Sequence, residues 1–311
     1  MCLFQSPYCF LTCSSFCSFR LPLHRDDIPV DDPASNASAL FLANSIFNHH
    51  CLPNSTSSFH RDVSIIRARS FIKKGEEVFI SYYPIGQDYD VRQNLFRPVF
   101  EKGICPCKVC KLDRLDGKEQ VALRHKILQK EFLPYRQRHQ AGVSIPSEDV
   151  ARTQGELQRI LARLESTYSS KQGPLRPELS DVYDLLSSIA VHVRTLTNRT
   201  TIDYRLKGFE SAGAKLEGKG TEIKVIVAPV PIQPYLDPVL QCLMTSSSCL
   251  QVLPKDTAAC LSWIRAAVDM ERLLRQGTFA SVRQRHSALL KSLKIVTLYN
   301  EAEKLSLRRK Q

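Results

Sequence analysis

The chain has 311 residues, 43% of them hydrophobic and 24% charged, which is enough to bury a sizeable core and to form about two domains. Its formal net charge is +12, but the basic residues are spread singly along helix-like stretches, so we expect a solvated surface and no specific nucleic-acid binding. Eleven cysteines without a regular framework argue against a secreted disulfide scaffold and favour a reducing compartment, the nucleus or the cytoplasm. No stretch is long and apolar enough to span a bilayer, so we expect no membrane partner.

The predicted elements begin after a poorly defined amino-terminal segment, residues 1–37. Residues 38–47 are short, apolar and helix-compatible. Two mostly alternating, β-branched runs then predict strands at 63–68 and 77–82. Beyond residue 90 the pattern becomes helical. Helices are expected over 91–102, 123–140, 147–167 with Ser147 as N-cap, 177–197, 234–247, 256–276 and 279–309, the last with one possible break.

The region after residue 116 has the character of paired helices. Its last helices alternate with short turns, as in 263–274, 276–277 and 279–290, which is typical of tetratricopeptide-type hairpins, although the 34-residue consensus is missing. We interpret the Gly-rich residues 198–231 as a flexible insert with one strand-like run at 222–228. The apolar surroundings of three cysteines predict buried thiols at Cys242, Cys249 and Cys260.

Three closely spaced cysteines predict a metal site. Cys105, Cys107 and Cys110 lie within six residues and offer three soft ligands, one short of a tetrahedral zinc site. The best fourth ligand is Cys51 in the turn NHHCLPN, and His50 is its rival. The other interpretation is a thiol-rich loop. We prefer zinc because closely spaced cysteines in a polar loop have little packing reason to exist.

The same turn offers groups for a polar ligand. Asn48 and His49 provide a side-chain amide and exposed backbone groups that suit the edge of a nucleotide-like ligand and an amino-acid head group. Tyr82 closes the second predicted strand, where its hydroxyl can point into a cleft. Taken alone, each of these motifs is more typical of an ordinary loop or of a core or rim residue.

In this order and spacing the motifs resemble the SET domain, specifically the branch shared by SMYD proteins and fungal proteins that combine SET with tetratricopeptide repeats. With x for positions that do not take part in the match, the matching patterns are NHxCxPN at 48–54, IRA at 66–68, GEExxISY at 75–82, RxxL at 92–95 and the three-cysteine tail. The resemblance implies an α+β fold. A partial SET β-fold with a zinc-binding post-SET segment would occupy residues 38–115, and an all-α tetratricopeptide-like helical domain residues 116–311.

The resemblance also implies chemistry, namely methylation of protein lysine side chains by S-adenosyl-L-methionine. Asn48 would contact the methionine end of that cofactor and His49 its adenine side, largely through the backbone. Tyr82 would line the lysine channel and align the amine with the methyl group. The partner would be a protein with a lysine-containing segment. One structural zinc would be shared by Cys51, Cys105, Cys107 and Cys110.

The chain departs from the family pattern in three places. Residues 1–47 contain no glycine, so the Gly-x-Gly loop that cradles the cofactor is missing, as is the MYND zinc finger of many relatives. The aromatic residue expected ahead of the cysteine triplet is replaced by the sequence KGI at 102–104. We therefore expect a truncated or degenerate methyltransferase. The alternative is a catalytically inactive helical-repeat scaffold with a zinc-stabilised SET remnant, and the sequence leaves activity open.

Overall fold

The computed structural model describes residues 41–60, 63–82, 89–98, 100, 103–169, 173–193, 197–218, 223–230, 237–252 and 254–308. The described chain divides into two compact units, one of residues up to 82 together with 89–110, and one from residue 111 onward. The first unit holds four short strands and the second is mostly helical, so the fold is α+β. The amino-terminal segment 1–37 lies outside the described residues.

The strands of the first unit are β1 (Asn48–His49), β2 (Ser55–His60), β3 (Val63–Ala68) and β4 (Phe79–Ile80). β2 and β3 form an antiparallel pair, and β1 pairs with β4 in parallel, so that His49 lies opposite Ile80. The side chain of Asn54 fastens β4 to the end of the NHHCLPN turn. Its Oδ1 accepts the Phe79 N–H at 2.9 Å, and its Nδ2 donates to the Glu77 carbonyl at 2.9 Å.

Several predicted elements of this unit are shorter than expected. The strand at 63–68 is confirmed as β3, whereas only two residues of the run 77–82 are strand. At the start of the run the Asn54 side chain binds backbone groups of Glu77 and Phe79, and at its end the Tyr82 N–H donates to the His49 ring, so these groups are not available to a neighbouring strand. Within 38–47 the described part contains only the 3-10 turn Asn44–Ile46. The helix predicted at 91–102 ends at Phe96, close before Pro98, because proline disfavours helical backbone in the residue ahead of it.

The helices are α1 (Tyr89–Phe96) in the first unit, followed by α2 (Lys108–Asp116), α3 (Lys118–Ile127), α4 (Leu133–Gln140), α5 (Val150–Ser166), α6 (Leu179–Ala190), α7 (Asn198–Ser211), α8 (Pro238–Gln251), α9 (Thr257–Arg275), α10 (Phe279–Ser292) and α11 (Val296–Arg308). A hairpin of β5 (Lys215–Glu217) and β6 (Lys224–Val227) lies between α7 and α8. Among the described residues, none of these helices combines the length and apolar character needed to cross a bilayer.

Two helix boundaries differ from the predicted ones for local reasons. The helix expected at 123–140 is divided into α3 and α4 by a π-helical turn, Leu128–Phe132. Pro134 near the start of α4 has no backbone N–H to continue the regular ladder, which explains the widened turn. Ser147 is not the N-cap of α5, because the chain forms a turn there in which the Asp149 N–H donates to the Pro146 carbonyl at 2.9 Å.

The interpretation of residues 198–231 as a flexible insert was wrong. Their described part forms the helix α7 and the β5–β6 hairpin, with residues 219–222 and 231 outside the described residues. Gly208 lies inside α7, where an added Cβ would approach the Tyr183 Cβ to 3.2 Å. That glycine therefore serves the close packing of α7 on α6, and its presence in the sequence was mistaken for a sign of flexibility.

Two hydrophobic clusters fill the second unit, one centred on α5 and α6 and the other on α8 and α9. The cluster centred on α8 and α9 contains Trp263 and the three cysteines predicted to be buried. Cys242, Cys249 and Cys260 are each 0% exposed, as expected. The break predicted in the last helix is confirmed between α10 and α11. The tetratricopeptide-like pairing stays a prediction.

A buried charge network ties four helices of this unit together. The Asp184 carboxylate accepts the Arg136 Nη2–H at 2.8 Å, the Gln241 Nε2–H at 2.9 Å and the Arg205 guanidinium. Burial alone would raise the pKa of Asp184, but the guanidinium groups of Arg205 and Arg136 outweigh it and lower this pKa to about 2.

Candidate metal centre and cofactor site

The structure brings the four predicted thiols together. Cys51 follows β1, while Cys105, Cys107 and Cys110 lie just before and within the first turn of α2. Their sulfur atoms all lie within 4.8 Å of one another, and each residue is at most 3% exposed. His50 lies outside this group, and its Nδ1 accepts the Leu52 N–H at 3.0 Å.

The spacing of the sulfur atoms fits a single zinc ion. Zinc–thiolate bonds of about 2.3 Å in a tetrahedron place the sulfur atoms about 3.8 Å apart. The Sγ atoms of Cys51 and Cys110 are 3.6 Å apart, and no pair of the four is more than 4.8 Å apart. A zinc ion bound by Cys51 and by the three cysteines of 105–110 would hold together two segments that are far apart in the sequence.

The pKa values within the cluster diverge because the thiols share hydrogen bonds. Hydrogen bonds from the neighbouring thiols, led by that of Cys105, lower the pKa of Cys107, and the Cys110 N–H at 3.4 Å acts in the same direction. Thiol hydrogen bonds and burial raise the pKa of Cys51. The hydrogen bond with Cys105 also lowers the pKa of Cys110, and a lowered pKa favours the thiolate, which is the form that binds metal.

Gln93 supports the cluster from α1 and was missed by the sequence analysis. Its Nε2 donates to the Cys110 Sγ at 3.3 Å, and its Oε1 accepts the Cys105 N–H at 3.0 Å. Nothing in the sequence marks this residue, because only Arg92 and Leu95 of the stretch 92–95 take part in the resemblance. Partners of this kind orient metal ligands and tune their charge.

His49 is buried directly beside the cysteine cluster. It is 4% exposed, and its ring centroid lies 4.2 Å from that of Phe96. The ring has a polar neighbour on each side: its Nε2 lies 3.2 Å from the Cys51 Sγ, and its Nδ1 accepts the Tyr82 N–H at 3.0 Å. Burial lowers the pKa of His49 to about 3, against an opposing effect of Cys107.

The two other predicted site residues lie around His49. Asn48 donates its Nδ2–H to the Glu77 Oε1 at 2.5 Å, across the β1–β4 pair. Tyr82 is half-buried two residues past β4, and its hydroxyl donates to the Phe47 carbonyl at 2.7 Å. The structure therefore brings Asn48, His49 and Tyr82 together.

An arginine that the sequence analysis passed over anchors the exit of the turn. Arg69 is 2% exposed, and its Nη1 donates to the Pro53 carbonyl at 2.5 Å. Its backbone N–H donates to the Asn54 carbonyl at 2.8 Å. Burial lowers the pKa of Arg69 to about 10, so the side chain still carries its charge at neutral pH.

The comparisons with known proteins point to one family. The SET domain model matches residues 14–83, which include Asn48, His49 and Tyr82 and end before the cysteine triplet. The match begins within the segment that the sequence analysis left undefined. Histone-lysine N-methyltransferase ASHR2 of Arabidopsis thaliana is 35% identical over 86 residues, which are 25% of this chain and 21% of that protein.

The chain thus spans about a fifth of the length of that curated relative. The SET domain match itself is confined to residues 14–83. It covers the parallel β1–β4 pair, the NHHCLPN turn and the tyrosine beyond β4. The SET match at residues 14–83 and the similarity to this methyltransferase support a SET-domain protein, and the buried four-cysteine cluster lies beyond the matched segment.

Proposed function

We propose that this protein is a protein-lysine methyltransferase that uses S-adenosyl-L-methionine and acts in the nucleus or the cytoplasm. The SET match and a relative named as a histone-lysine N-methyltransferase support the reaction class. The observation that carries the proposal is the parallel β1–β4 pair, because it sets Asn48 and His49 beside Tyr82 although 33 residues separate His49 from Tyr82. The substrate would be a protein with an accessible lysine.

The cofactor supplies an electrophilic methyl group on a sulfonium, and the chain supplies its binding groups. Asn48 is the polar group placed to hold the methionine end, and its amide lies at the surface of the β1–β4 pair. Ile104 is 47% exposed and offers an aliphatic surface for the adenine in place of the aromatic residue of relatives. These residue types fit the cofactor's charged and apolar ends.

Tyr82 would orient the substrate amine. Its hydroxyl is fixed by donating to the Phe47 carbonyl, and a phenol oxygen that donates its hydrogen still has lone pairs that can accept an N–H of lysine. Transfer from a sulfonium requires a neutral amine in line with the methyl group and depends mainly on such positioning.

The four cysteines would hold one zinc ion with a structural role. A closed site of four thiolates has no open position for substrate, so its contribution is to the fold. Here it would hold the turn at 48–54 against the segment 103–110, and thereby fix β1.

A conservative variant tests the reaction. Tyr82→Phe removes only the hydroxyl, and we expect methyl transfer to lysine of core histones, measured with labelled cofactor, to fall by roughly 100-fold. The loss should lie in kcat, with zinc content unchanged. Tyr89→Phe in α1 is the matched control and should keep full activity. Equal activity of the Tyr82→Phe and Tyr89→Phe proteins would refute the assigned role.

One observation favours a second function, a scaffold that binds a partner segment. The second unit has a cavity of about 550 Å³ lined by Lys130, Pro134, Arg138, Ile160 and Arg163, among others. If the chain is only a scaffold, neither cofactor binding nor methyl transfer will be measurable on folded, zinc-loaded protein. A methylated lysine product that depends on the Tyr82 hydroxyl would exclude the scaffold as the main function.

A further inference from the structure

We propose that His49 is a positioning residue that couples the metal centre to Tyr82, so that occupancy of the cysteine cluster sets the backbone position of that tyrosine. The inference rests on the proposed function for the roles of zinc and Tyr82. The role proposed here belongs to the imidazole side chain of His49. The family resemblance implies only a contact of His49 with the cofactor, largely through its backbone.

The His49 ring makes two hydrogen bonds, one with the Tyr82 backbone and one with Cys51, and the Tyr82 N–H fixes the direction of both. The Tyr82 backbone N–H can only donate, so the His49 Nδ1 at 3.0 Å must accept and carries no hydrogen. An imidazole with a bare Nδ1 carries its hydrogen on Nε2. That atom lies 3.2 Å from the Cys51 Sγ, so the second bond runs from the ring N–H to the sulfur.

The ring cannot easily leave this arrangement. It is 4% exposed and packs on Phe96 with centroids 4.2 Å apart and on Tyr82 with centroids 5.2 Å apart. A half-turn of the ring would move both nitrogen atoms away from their partners. The imidazole is therefore a short, rigid connection between one sulfur of the cluster and one backbone amide.

Metal occupancy determines how firmly one end of this connection is held. A zinc ion bound by four sulfurs would fix the Cys51 Sγ at a single position, whereas removal of the ion frees that atom. The Tyr82 hydroxyl has a separate anchor in the Phe47 carbonyl. Metal loss should therefore disturb the Tyr82 amide more than its hydroxyl.

The test follows that amide directly, without cofactor or substrate. Protein with isotope-labelled tyrosine shows the amide signals of 10 tyrosines, and the Tyr82→Phe spectrum identifies the one that matters. In the full chain, zinc removal with a chelator should shift the Tyr82 amide signal and accelerate its hydrogen exchange roughly tenfold, the effect of losing one hydrogen bond.

Two variants separate coupling from a general loss of structure. His49→Leu should keep one zinc per chain, show fast exchange at Tyr82 even with zinc, and lose the response to the chelator. His50→Gln, at the neighbouring position, should keep that response. A Tyr82 amide that ignores zinc in the wild-type chain, or responds equally in His49→Leu, would overturn the proposal.

A third measurement needs no variant and covers the case in which His49→Leu does not fold. Spin-active cadmium in place of zinc should show scalar coupling to the ring N–H of His49 through the Cys51 sulfur, and absence of that coupling in folded protein would also refute the connection. Because every readout is made without S-adenosyl-L-methionine, failure of methyl transfer alone would count against the proposed function and leave this inference standing.

Discussion

Replacing Gln93 by leucine should weaken zinc binding without touching a ligand. The leucine side chain keeps the approximate size of glutamine but removes both of its hydrogen bonds, one to the Cys110 Sγ at 3.3 Å and one from the Cys105 N–H at 3.0 Å. Cys105 is 0% exposed, so water cannot readily replace the lost acceptor of its N–H.

The structure gives the size of the effect. Two hydrogen bonds of about 1 kcal/mol each amount to about 2 kcal/mol, which corresponds to roughly 30-fold in zinc affinity. That value lies inside the roughly 10- to 100-fold range found when partners of metal ligands are removed.

Competition with a chromogenic chelator at fixed pH measures the affinity. Asn94→Leu is the matched control, because Asn94 is an exposed amide on the same helix, and its Oδ1 accepts a hydrogen bond from the Arg97 Nη2 at 3.4 Å. It should change the affinity by less than about twofold, since a surface substitution away from the ligands has little effect. A Gln93→Leu protein that binds zinc within about threefold of wild type would show that the support of the cluster lies elsewhere.

Two further changes test the metal ligands and the helical unit. Cys107→Ser should reduce bound zinc from about one equivalent to well below half, measured by elemental analysis, because a four-thiolate site needs all its ligands; full retention of zinc and stability would refute the ligand set. Asp184→Asn should lower the free energy of unfolding by about 3 kcal/mol in denaturant titrations, because it leaves the buried Arg136 and Arg205 short of a counter-charge. Since the folded pKa of Asp184 is lowered to about 2, its charge stabilises the wild type above pH 4 and this contribution fades as the pH falls through 2. The gap between the two proteins should narrow over that range, and a constant gap would contradict the assignment.

The sequence was most informative about the metal site, because a zinc ion requires particular ligand residues. Cys51, Cys105, Cys107 and Cys110 could be grouped from spacing and resemblance, and the structure places all four sulfurs within 4.8 Å. The β-branched composition of β3 was likewise readable, and so was the apolar period of the long helices, whose buried positions repeat over many residues.

Features made by distant partners were not readable. β1 and β4 have two residues each, too few to show any period, and their pairing joins residues 31 apart. Gln93 acts through two contacts that only the folded chain creates. Gly208 was misinterpreted for a related reason. A glycine required for helix packing cannot be distinguished in the sequence from a glycine in a flexible segment.

Isothermal titration of the zinc-loaded full chain with S-adenosyl-L-methionine tests most directly whether the β1–β4 pair, Tyr82 and the cysteine cluster form a cofactor site. We predict saturable heat for the wild type and binding weakened at least roughly tenfold in Asn48→Ala, which removes the amide assigned to the methionine end. The absence of detectable heat at millimolar cofactor, on folded protein with one zinc per chain, would contradict the proposed function.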